Sequence, residues 1–86
     1  MIIGIDKNGE NLQLGDICKF KINKTQYEGI IVYESDVFAF CFEMKDESFP
    51  SVKMEKADLY SIEKIISVFS TKDNDEYEFY RKIISN

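Results

Sequence analysis

Seven residues, VFAFCFE (37–43), set the first limit on this chain. In an extended strand successive side chains point to opposite faces, so Phe38, Phe40 and Phe42 share one face while Val37, Ala39 and Cys41 share the other. Neither face can be left to water. A strand apolar on both sides belongs inside a sheet, covered above and below by the rest of the chain or by a partner. The segment before it, YEGIIVYE (27–34), is rich in β-formers, and the intervening Ser35-Asp36 is short enough for a hairpin.

The upstream sequence supplies further strands and the turns between them. Residues 1–5 are short and β-branched, a plausible first strand, and Asn8-Gly9 in the following DKNGE is a strong turn signal because both residues tolerate positive φ. In GDICKFKI (15–22), Cys18, Phe20 and Ile22 alternate with Lys19 and Lys21, the period of a half-buried strand. NKTQ (23–26) is the next turn.

Downstream, residues 44–57 are polar and hold the single proline, Pro50, while Val52 and Met54 alternate with Lys53 as a short edge strand would. DLYSI (58–62) and KIISVFS (64–70) read as two late strands. The period then changes. Tyr77, Tyr80 and Ile84 fall on one helical face with Ile83 beside them, and Asp73 with Glu76 has the spacing of a helix cap. Arg81 and Lys82 sit in the last turn, where cations suit the helix dipole. At 86 residues the chain is long enough for one domain and too short for two separate cores. The expectation is one domain, 1–86: a mostly β, small SH3-like or partly open antiparallel β-barrel, with strands within 1–70 and one short C-terminal α-helix at 74–84.

Composition narrows the function classes. Eleven Lys and Arg against 16 Asp and Glu leave a net charge of −5, which opposes non-specific attraction to nucleic acid or an anionic membrane. No apolar run approaches the roughly 20 residues that span a bilayer. The first ten residues lack a basic region and a long apolar core, so no signal peptide is read and a cytoplasmic location is expected. Two cysteines, Cys18 and Cys41, lie in apolar runs and are expected as buried free thiols.

The chain contains no histidine, so the commonest general base and metal ligand are missing, and two cysteines cannot make a four-thiolate zinc site. No phosphate-cradling glycine loop or nucleophile elbow is present, and no cofactor is expected. Glu34 with Asp36, or Glu43 with Asp46 and Glu47, are the carboxylates that an acid–base enzyme could use, but acid pairs arise by chance in an acidic chain. DNDE (73–76) lacks the ligand spacing of a calcium loop and fits a helix start.

Two features point towards binding. Lys19, Lys21 and Lys24 form a basic stripe, and Tyr27 and Tyr33 share a face of the neighbouring strand, an arrangement with which small sheets stack bases and hold phosphates. The competing reading is solvated strand lysines that protect an edge and tyrosines that finish the core. The other feature is the surplus of apolar strand faces, which a closed barrel or an oligomer interface would satisfy.

The order of DKNGENLQLGDICKF (6–20), YEGIIVYESDVFAF (27–40) and IEKIISVFS (62–70) resembles the YopX family of phage and prophage proteins. That family pairs a D-x-N-G turn with a Gly-Asp-Ile/Val strand, a G-x-I/V-x-Y/W hairpin and an I-E-V-I-type closing segment. The resemblance covers residues 6–70 and suits a divergent or truncated member. It implies a small β-barrel encoded by a mobile element and supplies no catalytic residues. The expectation is a non-enzymatic accessory protein acting through a protein partner or a homo-oligomer, with no membrane. The alternative is an SH3/KOW-like nucleic-acid-binding module.

Overall fold

The computed structural model describes residues 2–42 and 50–85. In chain order the strands are β1 (Gly4–Ile5), β2 (Asn11–Leu12), β3 (Asp16–Ile22), β4 (Thr25–Glu34), β5 (Val37–Cys41), β6 (Ser51–Lys53) and β7 (Glu63–Ser67), and the helix is α1 (Glu78–Ser85). β1 and β2 form a small hairpin, while the other five strands make one antiparallel sheet in the order β6-β5-β4-β3-β7. The fold is therefore mostly β with one short C-terminal helix, as expected. Among the described residues no ladder joins the edge strands β6 and β7.

Turn chemistry fixes the register. β3 and β4 meet at Ile22 opposite Thr25, so the turn is Asn23-Lys24 alone, with φ of 49° and 72°. β4 and β5 meet at Glu34 opposite Val37 across Ser35-Asp36, with φ of 50° and 66°. Two consecutive left-handed residues make type I′ turns, whose twist matches that of the flanking strands. The four-residue turn read at 23–26 is thus two residues shorter, and Thr25 and Gln26 join β4.

Each face of the sheet has its own core. Cys18, Phe20, Ile31 and Phe40 pack on one face with Leu12, Ala57 and Ile62. The covering residues come from β2 and from the connection that carries the chain from edge β6 to edge β7. Ile17, Ile30 and Cys41 occupy the other face beneath Val68 and Tyr80. β5 is accordingly covered on both sides, as its sequence requires. Gly29 makes room for this packing: a Cβ there would lie 3.0 Å from the Cys41 carbonyl oxygen and 3.4 Å from the Phe20 ring. The Phe20 and Phe40 rings stack at 4.0 Å.

Three further segments depart from the sequence expectation. DLYSI is no strand: Leu59–Ser61 is a 3₁₀ turn, because the Asp58 carboxylate accepts from Tyr60 N and the Ser61 hydroxyl donates to Asp58 O. Such local bonds offer the backbone an alternative to a ladder. KIISVFS divides for a related reason. β7 ends at Ser67, whose hydroxyl accepts from Phe69 N and opens the 3₁₀ turn Val68–Ser70. Before α1, Asn74 rather than Asp73 supplies the cap, accepting from Glu76 N at 3.0 Å. Arg81 does not serve the far end of the helix either: its Nη1 donates back to Asn74 O at 2.7 Å.

The segment DKNGENLQLGD is held by two buried carboxylates. Asp6 accepts from Asn8 N and Glu10 N through Oδ1, and from Lys64 N through Oδ2. One side chain thereby closes its own turn and fixes the β1–β2 hairpin to β7. Asp16 accepts from Gln13 N at 2.8 Å and faces Lys64 Nζ at 3.5 Å. Between them Gly15, at φ 87°, donates to Ile31 O and accepts from Val68 N.

Candidate functional site

Register decides which side chains can act together. Lys19 lies opposite Glu28 on β4 and Glu63 on β7, and Lys21 lies opposite Gln26. These lysines project from the sheet face that carries Ile17. Phe20 lies opposite Tyr27, and Tyr33 opposite Phe38, so both tyrosines project from the other face. Lys24 occupies the hairpin tip. The five residues proposed as one binding face are therefore divided by the sheet. Cross-strand partners share a face, and even-numbered β4 residues stand opposite odd-numbered β3 residues. Lys19 stands between two carboxylates, which counter the attraction of a phosphate.

The tyrosines belong to an aromatic row. Tyr27 lies 6.1 Å from Phe20 and 5.8 Å from Phe42 between ring centroids, at the margin of the core. Tyr33 meets Phe38 edge-on at 5.0 Å and is 55% exposed. Aromatic pairs at these separations add packing energy beyond simple burial.

Beside Phe38 the sheet leaves a groove of about 370 Å³, lined by Val37, Phe38, Lys53, Met54, Glu55 and Leu59. Its origin is local. The β5–β6 ladder stops at Ala39 opposite Lys53, and the chain then turns into the 3₁₀ segment Met54–Lys56. Phe38 thus has no strand partner on that side. Leu59 is 62% exposed at the groove, and its neighbour Tyr60 is 91% exposed. Apolar side chains gathered in this way mark a contact surface more often than scattered ones do. The sequence carried a general signal in the doubly apolar β5, but Leu59 and Tyr60 lay in a segment read as a strand.

Titratable groups in the interior serve the fold. Burial pushes the Cys18 thiol up to about 12, with Asp16 and Asp6 adding to the rise, so it is protonated at neutral pH. Burial also raises the Cys41 thiol, with Glu34 contributing. The two free cysteines lie in cores on opposite faces of the sheet. For Asp6, burial alone would raise the carboxyl, but the amides of Lys64, Glu10 and Asn8 and the Lys64 ammonium together hold it below its ordinary value. Glu34 accepts from the Ser51 hydroxyl, and Asp36 occupies a turn position; Glu43, Asp46 and Glu47 lie outside the described residues. Among the described residues no three His, Cys, Asp or Glu side chains converge as a metal site. No described helix is long and apolar enough to cross a membrane.

Comparison with protein-family models, curated proteins and solved structures finds no match to this chain.

Proposed function

We propose that this chain is a non-enzymatic accessory protein of the YopX-like phage and prophage type. It works in the host cytoplasm through protein contacts, the first of them with a second copy of itself. The observation that carries the reading is the groove beside Phe38, where Leu59 is exposed and Lys53 and Glu55 line the same apolar depression. A two-fold axis brings one surface patch against its own image. A two-fold axis through the groove would set Lys53 of one copy against Glu55 of the other and Phe38, Met54 and Leu59 against their images. The chemistry is self-complementary in both charge and apolar character. The motif order over residues 6–70 supports the phage context.

The nucleic-acid alternative has a weaker basis, because its lysines and tyrosines occupy opposite sides of the sheet. Sedimentation equilibrium over a concentration series tests the preferred reading. Self-association is expected for the parent protein and is abolished by Leu59→Glu, an exposed substitution that leaves the melting temperature unchanged. A monomer at all concentrations contradicts the reading. Binding of single-stranded RNA or DNA with a steep salt dependence would favour the alternative.

A further inference from the structure

On the other side of the sheet, the 3₁₀ turn Val68–Ser70 and α1 enclose a second groove of about 330 Å³, lined by Val68, Phe69, Lys72, Arg81, Ile84 and Ser85. It shares no lining residue with the groove beside Phe38, and its volume falls within the range of about 300–1,000 Å³ typical of ligand sites.

The charge of this groove is one-sided. Val68, Phe69 and Ile84 supply apolar surface, and both charged lining residues are cations. Among the described residues no carboxylate lines it, although the chain carries 16 acidic residues against 11 basic ones. The groove is also held in shape. Phe69 is 71% exposed, yet its ring lies over Gly15, where a Cβ would come within 2.7 Å of it, and its backbone N–H donates to Ser67 Oγ. Arg81 is fixed at the rim by donating from Nη1 to Asn74 O and Thr71 Oγ1. Lys72 is exposed and forms no ion pair among the described residues.

The geometry points to a docking groove for a partner peptide that carries a bulky apolar side chain next to carboxylates. The apolar anchor seats on Val68, Phe69 and Ile84, and the carboxylates meet Lys72 and Arg81. A basic segment would set its charges against two cations of like sign, which is how an interface excludes wrong partners. This groove is separate from the self-association surface, so either assignment can fail without the other.

The test uses a fluorescein-labelled ten-residue peptide with a central Leu-Phe pair flanked by glutamates, and a counterpart with lysines in place of the glutamates. Fluorescence anisotropy on the full chain is expected to detect binding of the acidic peptide and not of the basic one. Lys72→Asn weakens that binding about tenfold, as expected for loss of one charge pair. Asparagine tolerates the left-handed φ of 52° at this position, so the melting temperature is unchanged. Phe69→Ser also weakens binding, whereas Leu59→Glu does not. Absence of binding, equal affinity for the two peptides, or an unaltered affinity in Lys72→Asn overturns the proposal. So does octanoate binding as tightly as the acidic peptide, because the groove would then serve a small amphiphile.

Discussion

The two faces of the five-stranded sheet are both covered, but by different means. On the face of Phe20 and Phe40 the cover is the two-residue strand β2 and irregular chain, and side-chain hydrogen bonds hold it in place. Asp6 binds three backbone amides, Asp58 caps the turn above the sheet, and Ser61 Oγ accepts from Lys21 N. On the face of Ile17 and Ile30 the cover is the 3₁₀ turn carrying buried Val68 together with α1, eight residues long. A helix that short is not stable alone in water, so its order depends on what it buries. Tyr80 is the residue of α1 that is fully buried, while Phe79, Ile83 and Ile84 are half-buried. The Tyr80 hydroxyl donates to Glu28 Oε2 at 3.1 Å. Polar anchors thus hold one cover to the sheet, whereas α1 is held by apolar packing, by the Tyr80 hydroxyl and by the Arg81 bonds to Asn74 O and Thr71 Oγ1. The two grooves follow the same division: the Phe38 groove adjoins the anchored side, and the cationic groove adjoins the helix.

Breaking the anchored side produces the largest effect. Phe40→Ala removes a ring that is fully buried and stacked on Phe20, and it costs about 3–5 kcal/mol in urea denaturation. All probes of folding report that loss together. Tyr80→Phe deletes one hydroxyl from the helix side and costs about 0.5–1.5 kcal/mol.

Asp6→Asn falls between these two. It sets an amide against backbone donors and costs about 1–3 kcal/mol. The pH dependence has a definite sign. Because the folded-state carboxyl titrates below its ordinary range, its stabilisation is full above the unfolded carboxyl value and is lost as pH falls through the folded one. Denaturation midpoints of the parent protein therefore decline on acidification, and those of Asp6→Asn decline less.

Much of the anchored side was legible in the sequence. The doubly apolar β5, the strand alternation from Cys18 to Ile22, the Asn8-Gly9 turn and the Ser35-Asp36 hairpin follow from side-chain period and turn chemistry. Division of the lysines from the tyrosines was legible as well. Any even-length turn between Ile22 and Tyr27 sets odd-numbered β3 residues against even-numbered β4 residues, so Lys19 and Lys21 cannot share a face with Tyr27 and Tyr33. What periodicity could not supply was the competition between ladders and local bonds at Asp58, Ser61 and Ser67. Nor could it supply the two grooves, which arise where strands stop and distant segments meet.

The smallest expected effect has the opposite sign. Lys24 holds a φ of 72° in the type I′ turn, where Asn-Gly is the favoured pair. Lys24→Gly relieves left-handed strain at some entropic cost and raises stability by about 0.5–1 kcal/mol. Equal thermal shifts at both sides of the sheet locate that gain in the shared framework.

Native-state amide hydrogen exchange, followed residue by residue, compares the two sides most directly. Amides of α1 are predicted to exchange through local opening, well ahead of those at Phe20, Ile31 and Phe40, which exchange only with global unfolding. Equal protection in α1 and in the central strands would contradict a short helix whose order depends on what it buries.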